Sequence, residues 1–243
     1  KMSKISNFGY TKVTIKEKTK LVQKVFSDVA FNYDLMNDVM SFGAHRLWKT
    51  IFIDLVNPLE GEKIIDVGSG SGDLVLEIQK KNSNAIIDIV DLNQEMLNEG
   101  KKRIKKGNVK FYLQNAENLK FDNDTYDKYL ISFCLRNITN IDQALKEAFR
   151  VLKPGGKYYC MEFSKPTSIP LRKIYSFYKS NFIPLFGKVF ARNQDAYNYL
   201  NESIDMFPNQ EILKNKIENV GFRSVKYINL FDGIVSIHTG YKY

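Results

Sequence analysis

Three closely spaced glycines mark the strongest candidate for a binding site in this chain of 243 residues. Gly68, Gly70 and Gly72 follow an apolar run over 64–67 and precede a stretch of periodic apolar residues, which predicts a strand, a tight turn and a helix. Glycine lets the chain reverse sharply and bring its backbone close to a ligand. The first N–H groups of the following helix are unpaired, and they suit a carboxylate or a phosphate.

A carboxylate completes this candidate site. Asp91 ends the next predicted strand, about twenty residues beyond the last glycine. At that position a carboxylate can accept hydrogen bonds from both hydroxyls of a ribose. The glycine turn and Asp91 together predict a cofactor that contains a nucleoside.

The spacing of the turn narrows the choice of cofactor. The pattern is D-x-G-x-G-x-G from Asp66 to Gly72, and Asp73 stands where a dinucleotide fold requires a third glycine. Asp73 adds negative charge at the start of the helix, which disfavours a pyrophosphate and is compatible with a cationic ligand. S-adenosylmethionine carries a sulfonium and an ammonium and has no phosphate. A purely structural glycine turn is the alternative.

The order of predicted elements indicates an α/β fold with a doubly wound, mostly parallel sheet of seven strands. Strand-like and helical segments alternate, as they do when parallel strands are joined by right-handed crossovers. An antiparallel pair joined through 232–233 closes the sheet. Strands are predicted over 63–67, 85–91, 109–114, 128–132, 157–163, 225–230 and 234–241, and helices over 73–81, 94–106, 142–152 and 210–219.

We expect a single domain over 1–243 in four parts. An N-terminal helical cap covers 1–60, with residues 1–24 as a flexible lead into a helix. The cofactor-binding core covers 61–163, a helical lid insertion covers 164–208, and a C-terminal helix with two strands covers 209–243. Ligands of such sheets bind beyond the carboxyl ends of the strands. The segments that follow these ends, 66–72, Asp91, 115–116 and 132–137, are therefore expected to converge on one crevice.

Composition leaves the partner open. A net charge of +9 with 44% hydrophobic residues fits a globular domain that binds nucleic acid or an anionic membrane, or one whose lysines are only solvated. The lid insertion is rich in aromatic and basic residues, and its bases either face anionic lipid or are solvated above an apolar stripe that packs on the core. The bases in question are Arg172, Lys173, Lys179, Lys188 and Arg192.

Cysteine and histidine are too few for a disulfide framework or a metal site. Cys134 and Cys160 lie in separate strand-like segments without C-x-x-C spacing, and the chain has two histidines, His45 and His238. The pattern fits a reducing compartment. No apolar stretch reaches the length of about 18 residues that a membrane-spanning helix needs, and a secretory h-region is lacking. The chain begins with Lys-Met, which indicates a trimmed sequence. A targeting segment could therefore have been removed with the trimmed part.

Several stretches resemble known families. DVGSGSG, the strand end at Asp91 and LKPGG at 152–156 resemble the class I S-adenosylmethionine-dependent methyltransferases. FNYDLMNDVMSFGAHRLWK, ending at Lys49, SFCLRNITNIDQALKEAFRVLKPGG at 132–156, EFSKP at 162–166 and AYNYLNESIDMFP, ending at Pro208, resemble the UbiE-type C-methyltransferases of ubiquinone and menaquinone biosynthesis. The resemblance covers nearly the whole chain.

The resemblance implies S-adenosylmethionine-dependent C-methylation of a quinol. The acceptor would be a polyprenylated benzoquinol (2-methoxy-6-polyprenyl-1,4-benzoquinol) or demethylmenaquinol. No metal and no catalytic cysteine are expected. This family usually has Thr at Ser71, Gly at Cys134 and Pro at Lys120. The implied cofactor contacts, added to Asp66 and the glycines, are Ser71, Asp91, Asn115, Ala116 and Ser132.

Transfer to carbon requires the quinol hydroxyl to lose its proton, so that the ring carbon becomes nucleophilic. We expect Arg136 to stabilise the oxyanion that develops, and Asn137 and Asp38 to orient the hydroxyls. His45 is a candidate base, with a structural role as the alternative. Tyr33 or Tyr197 is expected to stack on the ring.

Two other functions compete with this one. The positive charge favours a nucleic-acid binder or an RNA methyltransferase, although the lysines are dispersed and no N-P-P-Y tetrapeptide follows the fourth strand. A methyltransferase of another small molecule is a further alternative. The third candidate is a noncatalytic scaffold of a quinone-synthesis complex. The expected partners are a prenylated quinol, a membrane surface, a quinone-biosynthesis complex and a second copy of the chain, and no nucleic acid. The expected location is the matrix side of the mitochondrial inner membrane in a eukaryote, and the cytoplasm or the periphery of the inner membrane in a bacterium.

Overall fold

The N-terminal part of the protein is a hairpin followed by a helix. The computed structural model describes residues 5–29, 37–38, 41, 43–81, 84–178 and 194–243. Strands β1 (Ile5–Phe8) and β2 (Thr11–Thr14) pair antiparallel, and helix α1 (Ile15–Val29) follows directly. The prediction of a flexible lead over 1–24 is therefore wrong for the hairpin. The start of α1, by contrast, carries a local signal, the Thr14-x-x-Glu17 capping box, in which Glu17 Oε2 accepts the Thr14 N–H across 2.8 Å.

The centre of the protein is a seven-stranded sheet with the order β5-β4-β3-β6-β7-β9-β8. The first five strands of this order are parallel, and β9 runs antiparallel to both β7 and β8. The predicted fold class is confirmed. The strands are β3 (Lys63–Val67), β4 (Ile86–Asp91), β5 (Asn108–Leu113), β6 (Tyr126–Ser132), β7 (Leu152–Phe163), β8 (Arg223–Leu230) and β9 (Val235–Tyr241).

Helices cover both faces of the sheet and thereby bury its strands on both sides. On one face, Ile64 of β3 packs in a cluster with residues of helices α2 and α3. On the other face, Ile65 and Val67 pack with residues of α5 and α8. The helices are α2 (Ala44–Val56), α3 (Asp73–Lys80), α4 (Gln94–Arg103), α5 (Ile141–Val151), α6 (169–178), α7 (Gln194–Met206) and α8 (Gln210–Val220).

Strand β7 starts earlier than its sequence predicts. The lysine, proline and two glycines at 153–156 predict a free turn, but β7 includes them. The Gly155 N–H donates to the Lys242 carbonyl across 2.6 Å, and the Gly156 carbonyl accepts the Lys242 N–H across 3.0 Å. The end of the chain therefore pairs with this segment, a long-range contact that no local pattern predicts.

The described parts of the lid insertion are α6 and α7, and Lys179, Lys188 and Arg192 lie outside the described residues. In the ranges that the structure describes, every helix is too short or too polar to cross a bilayer.

Candidate active site

A cavity lies at the carboxyl edge of the sheet, where the loops after β3, β4, β5 and β6 meet. Its position agrees with the rule that parallel sheets bind ligands beyond the carboxyl ends of their strands. Six of the residues singled out in the sequence line it, namely Gly68, Gly70, Asp91, Asn115, Ala116 and Asn137.

The glycine turn is held against the neighbouring strand by its own backbone. The N–H groups of Gly68 and Ser69 donate to the Val90 carbonyl across 2.8 and 3.2 Å. Gly68 and Gly70 have φ values of +66° and +59°, a region that favours glycine. A Cβ on Gly68 would lie 2.0 Å from Cys134 Sγ, so glycine is also required by the loop that packs above it.

Asp91 is oriented by backbone donors. Its Oδ2 accepts the Gly70 N–H and its Oδ1 accepts the Asn93 N–H, both across 2.8 Å. Burial raises the pKa of Asp91, and these backbone N–H groups oppose the rise. A carboxylate oxygen has two lone pairs, so each oxygen can accept a further hydrogen bond. The side chain thus fits the two hydroxyls of a ribose.

Asp66 lies beneath the turn and is 1% exposed. Ser69 Oγ donates to its Oδ2 across 2.5 Å, whereas Oδ1 has no donor among the described residues. Burial raises the pKa of Asp66 to about 7, helped by the negative charges of Asp91 and Asp73. A buried acceptor without a donor fits the ammonium group of a ligand such as S-adenosylmethionine.

The opposite wall carries amides. Asn115 Oδ1 accepts the Glu117 N–H across 2.9 Å, which orders the loop after β5 next to Ala116. Asn137 Oδ1 accepts the Tyr199 hydroxyl across 3.0 Å. Both amides are therefore fixed by the protein at the cavity wall.

Besides Asp66, three predicted cofactor residues do not line the cavity. Ser71 Oγ accepts a hydrogen bond from Arg103 Nη1 across 2.6 Å. A Cβ on Gly72 would lie 2.4 Å from Ile104 Cδ1, so Gly72 permits close packing on the helix side. The hydroxyl of Ser132 is buried and has no hydrogen-bond partner in the described part of the chain. The structure places these residues behind the cavity wall, and their contact with a cofactor stays a prediction.

The carboxylate of Asp73 is paired within the protein, so the prediction that its charge favours a cationic ligand is wrong. Lys49 Nζ and Arg103 Nη1 both pair with the Asp73 carboxylate, the latter across 2.7 Å. Burial would raise the pKa of Asp73, but these cations lower it below its ordinary value. Because its charge is paired inside the protein, Asp73 does not present a free negative charge to a ligand.

Arg136 forms a buried ion pair with Glu162. Its Nη1 donates to Glu162 Oε1 across 2.6 Å and to the Phe133 carbonyl across 2.7 Å. Glu162 is fully buried; burial raises its pKa and Arg136 opposes the rise. Arg136 lies beside Asn137 but does not line the cavity. Its predicted action on an oxyanion stays a prediction, and the pairing with Glu162 is a contact that the sequence did not predict.

Asp38, His45 and Tyr197, also predicted as catalytic or stacking residues, lie apart from the cavity. His45 Nε2 lies 2.8 Å from Asp38 Oδ1, and Arg46 Nη2 pairs with Asp38 Oδ2 across 2.6 Å. Burial lowers the pKa of His45, as does the charge of Lys49. Tyr197 is buried in a cluster between α1 and α7. Tyr33 lies outside the described residues.

Helix α1, which belongs to the predicted N-terminal cap, closes the cavity through residues that the sequence did not single out. Its residues Thr19, Val22, Gln23 and Phe26 line the cavity. Gln23 Nε2 donates to the Leu92 carbonyl across 3.1 Å. At the opposite side, Lys18 Nζ donates to the Ile138 carbonyl across 3.0 Å and Thr19 Oγ1 lies 3.2 Å from Thr139 Oγ1. These partners follow β4 and β6, so α1 bridges two strand-end loops.

The sheet order, the glycine turn and the strand-end carboxylate define the fold of the class I methyltransferases. Solved structures share this fold. One is an S-adenosylmethionine-dependent methyltransferase from Thermotoga maritima, with TM-score 0.65 and 19% identity, covering 91% of this chain and all of that one. Another is phosphoethanolamine N-methyltransferase 2 of Haemonchus contortus in complex with S-adenosyl-L-methionine, with TM-score 0.60 and 15% identity, covering 80% of this chain and 52% of that one.

The chain belongs to the ubiE/COQ5 methyltransferase family, whose model matches residues 12–242. It is 47% identical over 245 residues to the ubiquinone/menaquinone biosynthesis C-methyltransferase UbiE of Rickettsia bellii strain OSU 85-389, covering 98% of each chain. It is 44% identical over 246 residues to the protein of that name from Vibrio vulnificus strain YJ016, covering 99% of this chain and 95% of the relative.

Proposed function

We propose that this protein transfers the methyl group of S-adenosylmethionine to a ring carbon of a prenylated quinol in ubiquinone or menaquinone biosynthesis. One observation carries the proposal: a rim cavity with a fixed carboxylate, Asp91, lies in a chain that is 47% identical over nearly its whole length to a ubiquinone/menaquinone biosynthesis C-methyltransferase. The proposal includes both acceptor classes that the resemblance implies, the benzoquinols and the naphthoquinols.

The residues that line the cavity, together with Asp66 beneath the glycine turn, divide the cofactor between them. Asp91 accepts the ribose hydroxyls, because both of its oxygens are already oriented by backbone N–H groups. Asn115 and Ala116 contact the adenine, and Asp66 accepts the ammonium group. S-adenosylmethionine supplies a methyl group on a sulfonium, which is already activated for transfer. The protein must therefore align donor and acceptor and exclude water.

The acceptor must lose a hydroxyl proton for its ring carbon to become nucleophilic. Asn137 orients a quinol hydroxyl from the cavity wall, where Tyr199 fixes its amide. Arg136, the preceding residue, supplies N–H donors to the oxyanion. Because Glu162 compensates its charge, the pair stabilises an oxyanion through directed hydrogen bonds more than through net charge.

A prenyl tail lies in the bilayer, so the protein must meet a membrane surface. Helix α6 has Leu171 and Tyr175 partly buried on one face. On its outward face, each of the side chains of Ile169, Ile174 and Phe177 is at least 63% exposed. Lys173 lies on the same outward face, and residues 164–178 contain no acidic side chain. Exposed apolar residues beside basic ones fit an anionic membrane. The relatives from Rickettsia bellii and Vibrio vulnificus are bacterial. We therefore propose the periphery of a bacterial inner membrane as the location.

The proposal is tested by incubating the protein with S-adenosylmethionine labelled in its methyl group and a panel of prenylated benzoquinols and naphthoquinols. Label is expected on a ring carbon, identified by mass spectrometry, and Asp91→Ala is expected to be inactive. Label on RNA supplied in the same assay would support the competing nucleic-acid methyltransferase. Cofactor binding without transfer to any quinol would support the scaffold.

A further inference from the structure

Four aromatic side chains form a continuous cluster at the carboxyl edge of the sheet. We call Trp48, Phe133, Phe163 and Phe231 the rim cluster. The ring of Trp48 lies 6.1 Å from Phe133, 6.0 Å from Phe163 and 5.8 Å from Phe231, and the Phe133 and Phe163 rings lie 4.8 Å apart. Phe133 follows β6 and Phe163 ends β7, so the cluster occupies the edge where ligands of such sheets bind.

Phe133 joins the rim cluster to the cavity. It lines the cavity directly and has a φ of +51°, a backbone conformation that bulky side chains rarely adopt. The Phe133 N–H donates to the Met161 carbonyl across 2.8 Å, and the Phe133 carbonyl accepts from Arg136, so the strained residue is held on both sides. Strain that a structure maintains in this way is concentrated at binding and catalytic sites.

The indole of Trp48 offers a hydrogen bond that the described residues do not take up. Trp48 is 4% exposed, and its Nε1–H has no acceptor within the described residues. Its three ring neighbours are phenylalanines, which carry no acceptor atoms in their side chains. A buried donor without a partner is costly and therefore rare in native proteins. An oxygen atom supplied by a ligand would satisfy it.

The rim cluster also reaches the protein surface. Phe231 is 52% exposed, and Leu47, which precedes Trp48 on α2, is exposed to the same extent. Ring contacts thus link the cavity, through Phe133 and Trp48, to an exposed edge. A planar ring with oxygen substituents and a long apolar tail has the chemistry that aromatic side chains and a buried N–H donor recognise.

We infer that the rim cluster is the acceptor site, where the Trp48 N–H donates a hydrogen bond to an oxygen on the quinol ring and the prenyl tail leaves past Phe231. The inference rests on the proposed function and deepens it, since it names the groups that recognise the acceptor. Trp48 then determines specificity for oxygenated rings, while Asp91 and the glycine turn hold the cofactor.

The chain contains one tryptophan, which allows a direct test without an activity assay. The protein is labelled with 5-fluorotryptophan and saturated with S-adenosylhomocysteine, and its single ¹⁹F resonance is followed during titration with a short-chain prenylated 2-methoxy-1,4-benzoquinol kept reduced. A saturable shift is expected. A prenol of the same chain length, which lacks the ring, is expected to leave the resonance in place. An unmoved resonance at saturating quinol would overturn the inference.

Kinetics supply the second readout. Trp48→Phe keeps an aromatic side chain, though a smaller one, and removes the N–H, and it should raise the KM for the quinol about tenfold, the effect of losing one hydrogen bond. The value of kcat and the affinity for S-adenosylhomocysteine should change little, because the lost contact is the same in the bound substrate and the transition state. Tyr159→Phe is the control, since it removes a buried hydroxyl in the same face of the core, 3.5 Å from the Val56 carbonyl. An unchanged KM in Trp48→Phe would contradict the inference.

The two proposals fail separately. If the unaltered protein methylates no quinol, the proposed function fails, and the ¹⁹F titration still decides whether a quinol binds at Trp48. If the unaltered protein methylates a quinol while neither the resonance nor the KM responds as expected, the function stands and the acceptor site lies elsewhere.

Discussion

The backbone N–H of Gly70 donates a hydrogen bond of 2.8 Å to Oδ2 of Asp91. This contact ties the glycine turn to the end of the neighbouring strand, 21 residues further along the chain. The turn and the carboxylate are therefore one unit, and a change in either one alters the position of the other.

Asp91→Ala should abolish measurable cofactor binding. It removes the acceptor for two ribose hydroxyls and leaves the N–H groups of Gly70 and Asn93 without their partner. Loss of charge-assisted hydrogen bonds of this kind is expected to weaken S-adenosylhomocysteine binding by about a hundredfold or more, measured by calorimetry. Asp88→Asn is the control, because Asp88 is on the same strand but accepts from Tyr126 instead of lining the cavity. Equal affinities in both variants would contradict the ribose assignment.

Gly68→Ala should destabilise the protein by about 3 kcal/mol. The added Cβ meets Cys134 Sγ at 2.0 Å, and alanine is strained at a φ of +66°. Cys134→Gly removes the obstructing sulfur, so the double variant should lose about 1 to 2 kcal/mol less than the sum of the single variants. Urea unfolding measures all four states of this cycle. Additive losses would show that the contact with Cys134 does not set the requirement for glycine.

Much of the sheet is predictable, because its signals are local. The strand at 63–67 is predicted to the residue, and most other core elements begin or end within a few residues of their predicted bounds. Period-two and period-3.6 patterns and glycine turns act over short stretches, and burial on both faces reinforces them. The hairpin over 5–14 lacks such a pattern, since its two strands contain only three apolar residues, Ile5, Phe8 and Val13, and the sequence therefore does not predict it.

The site is less predictable, because its parts are distant in sequence. Strand ends predict where Asp91 and Asn115 lie, since topology alone brings them together. The pairing of Arg136 with Glu162 and the closure of the cavity by Gln23 depend on tertiary packing. Ser71 is a further example. The local sequence predicts that Ser71 lies in the glycine turn, but the direction of its side chain is set by Arg103 of α4, which the local sequence does not predict.

Arg136→Ala should destabilise the protein because it leaves Glu162 buried and unpaired. Removal of one partner of a buried ion pair costs about 3 to 5 kcal/mol. Adding Glu162→Gln removes the unpaired charge and should recover part of that loss in urea unfolding. Turnover separates the two roles of Arg136: if it also acts on the quinol, the double variant should regain stability and bind cofactor but stay at least about a hundredfold slower. Full turnover in the double variant would leave Arg136 with a structural role alone.

Gln23→Ala should weaken cofactor binding without unfolding the protein. Gln23 lines the cavity and bridges α1 to the loop after β4 through the Leu92 carbonyl. The loss of this wall contact is expected to raise the Kd for S-adenosylhomocysteine about tenfold, chiefly through faster dissociation. Lys24→Ala, at an exposed position on the same helix, should bind as the unaltered protein does. Identical dissociation rates for the two variants would remove α1 from the cofactor site.

His238 should make the protein less stable as the pH falls from about 6.5 to about 4. Its side chain is fully buried, with Nε2 hydrogen bonded to the Gln210 carbonyl across 2.9 Å, and burial lowers its pKa to about 4. Between these pH values the unfolded chain binds a proton at this histidine and the native protein does not. The free energy of unfolding therefore decreases on acidification, by up to about 3 kcal/mol for the full shift.

Asp66 acts in the opposite direction over nearly the same range. Its pKa is raised to about 7, so the native protein holds a proton that the unfolded chain releases, and this contribution to stability falls as the pH rises from 4 to 7. The pH profile of the unaltered protein alone thus does not isolate His238. The difference between the unaltered protein and His238→Gln does, since Asp66 is common to both. That difference, from urea unfolding at pH 4.5 to 7.5, should slope in favour of the variant at low pH, and a difference independent of pH would refute the assignment to His238.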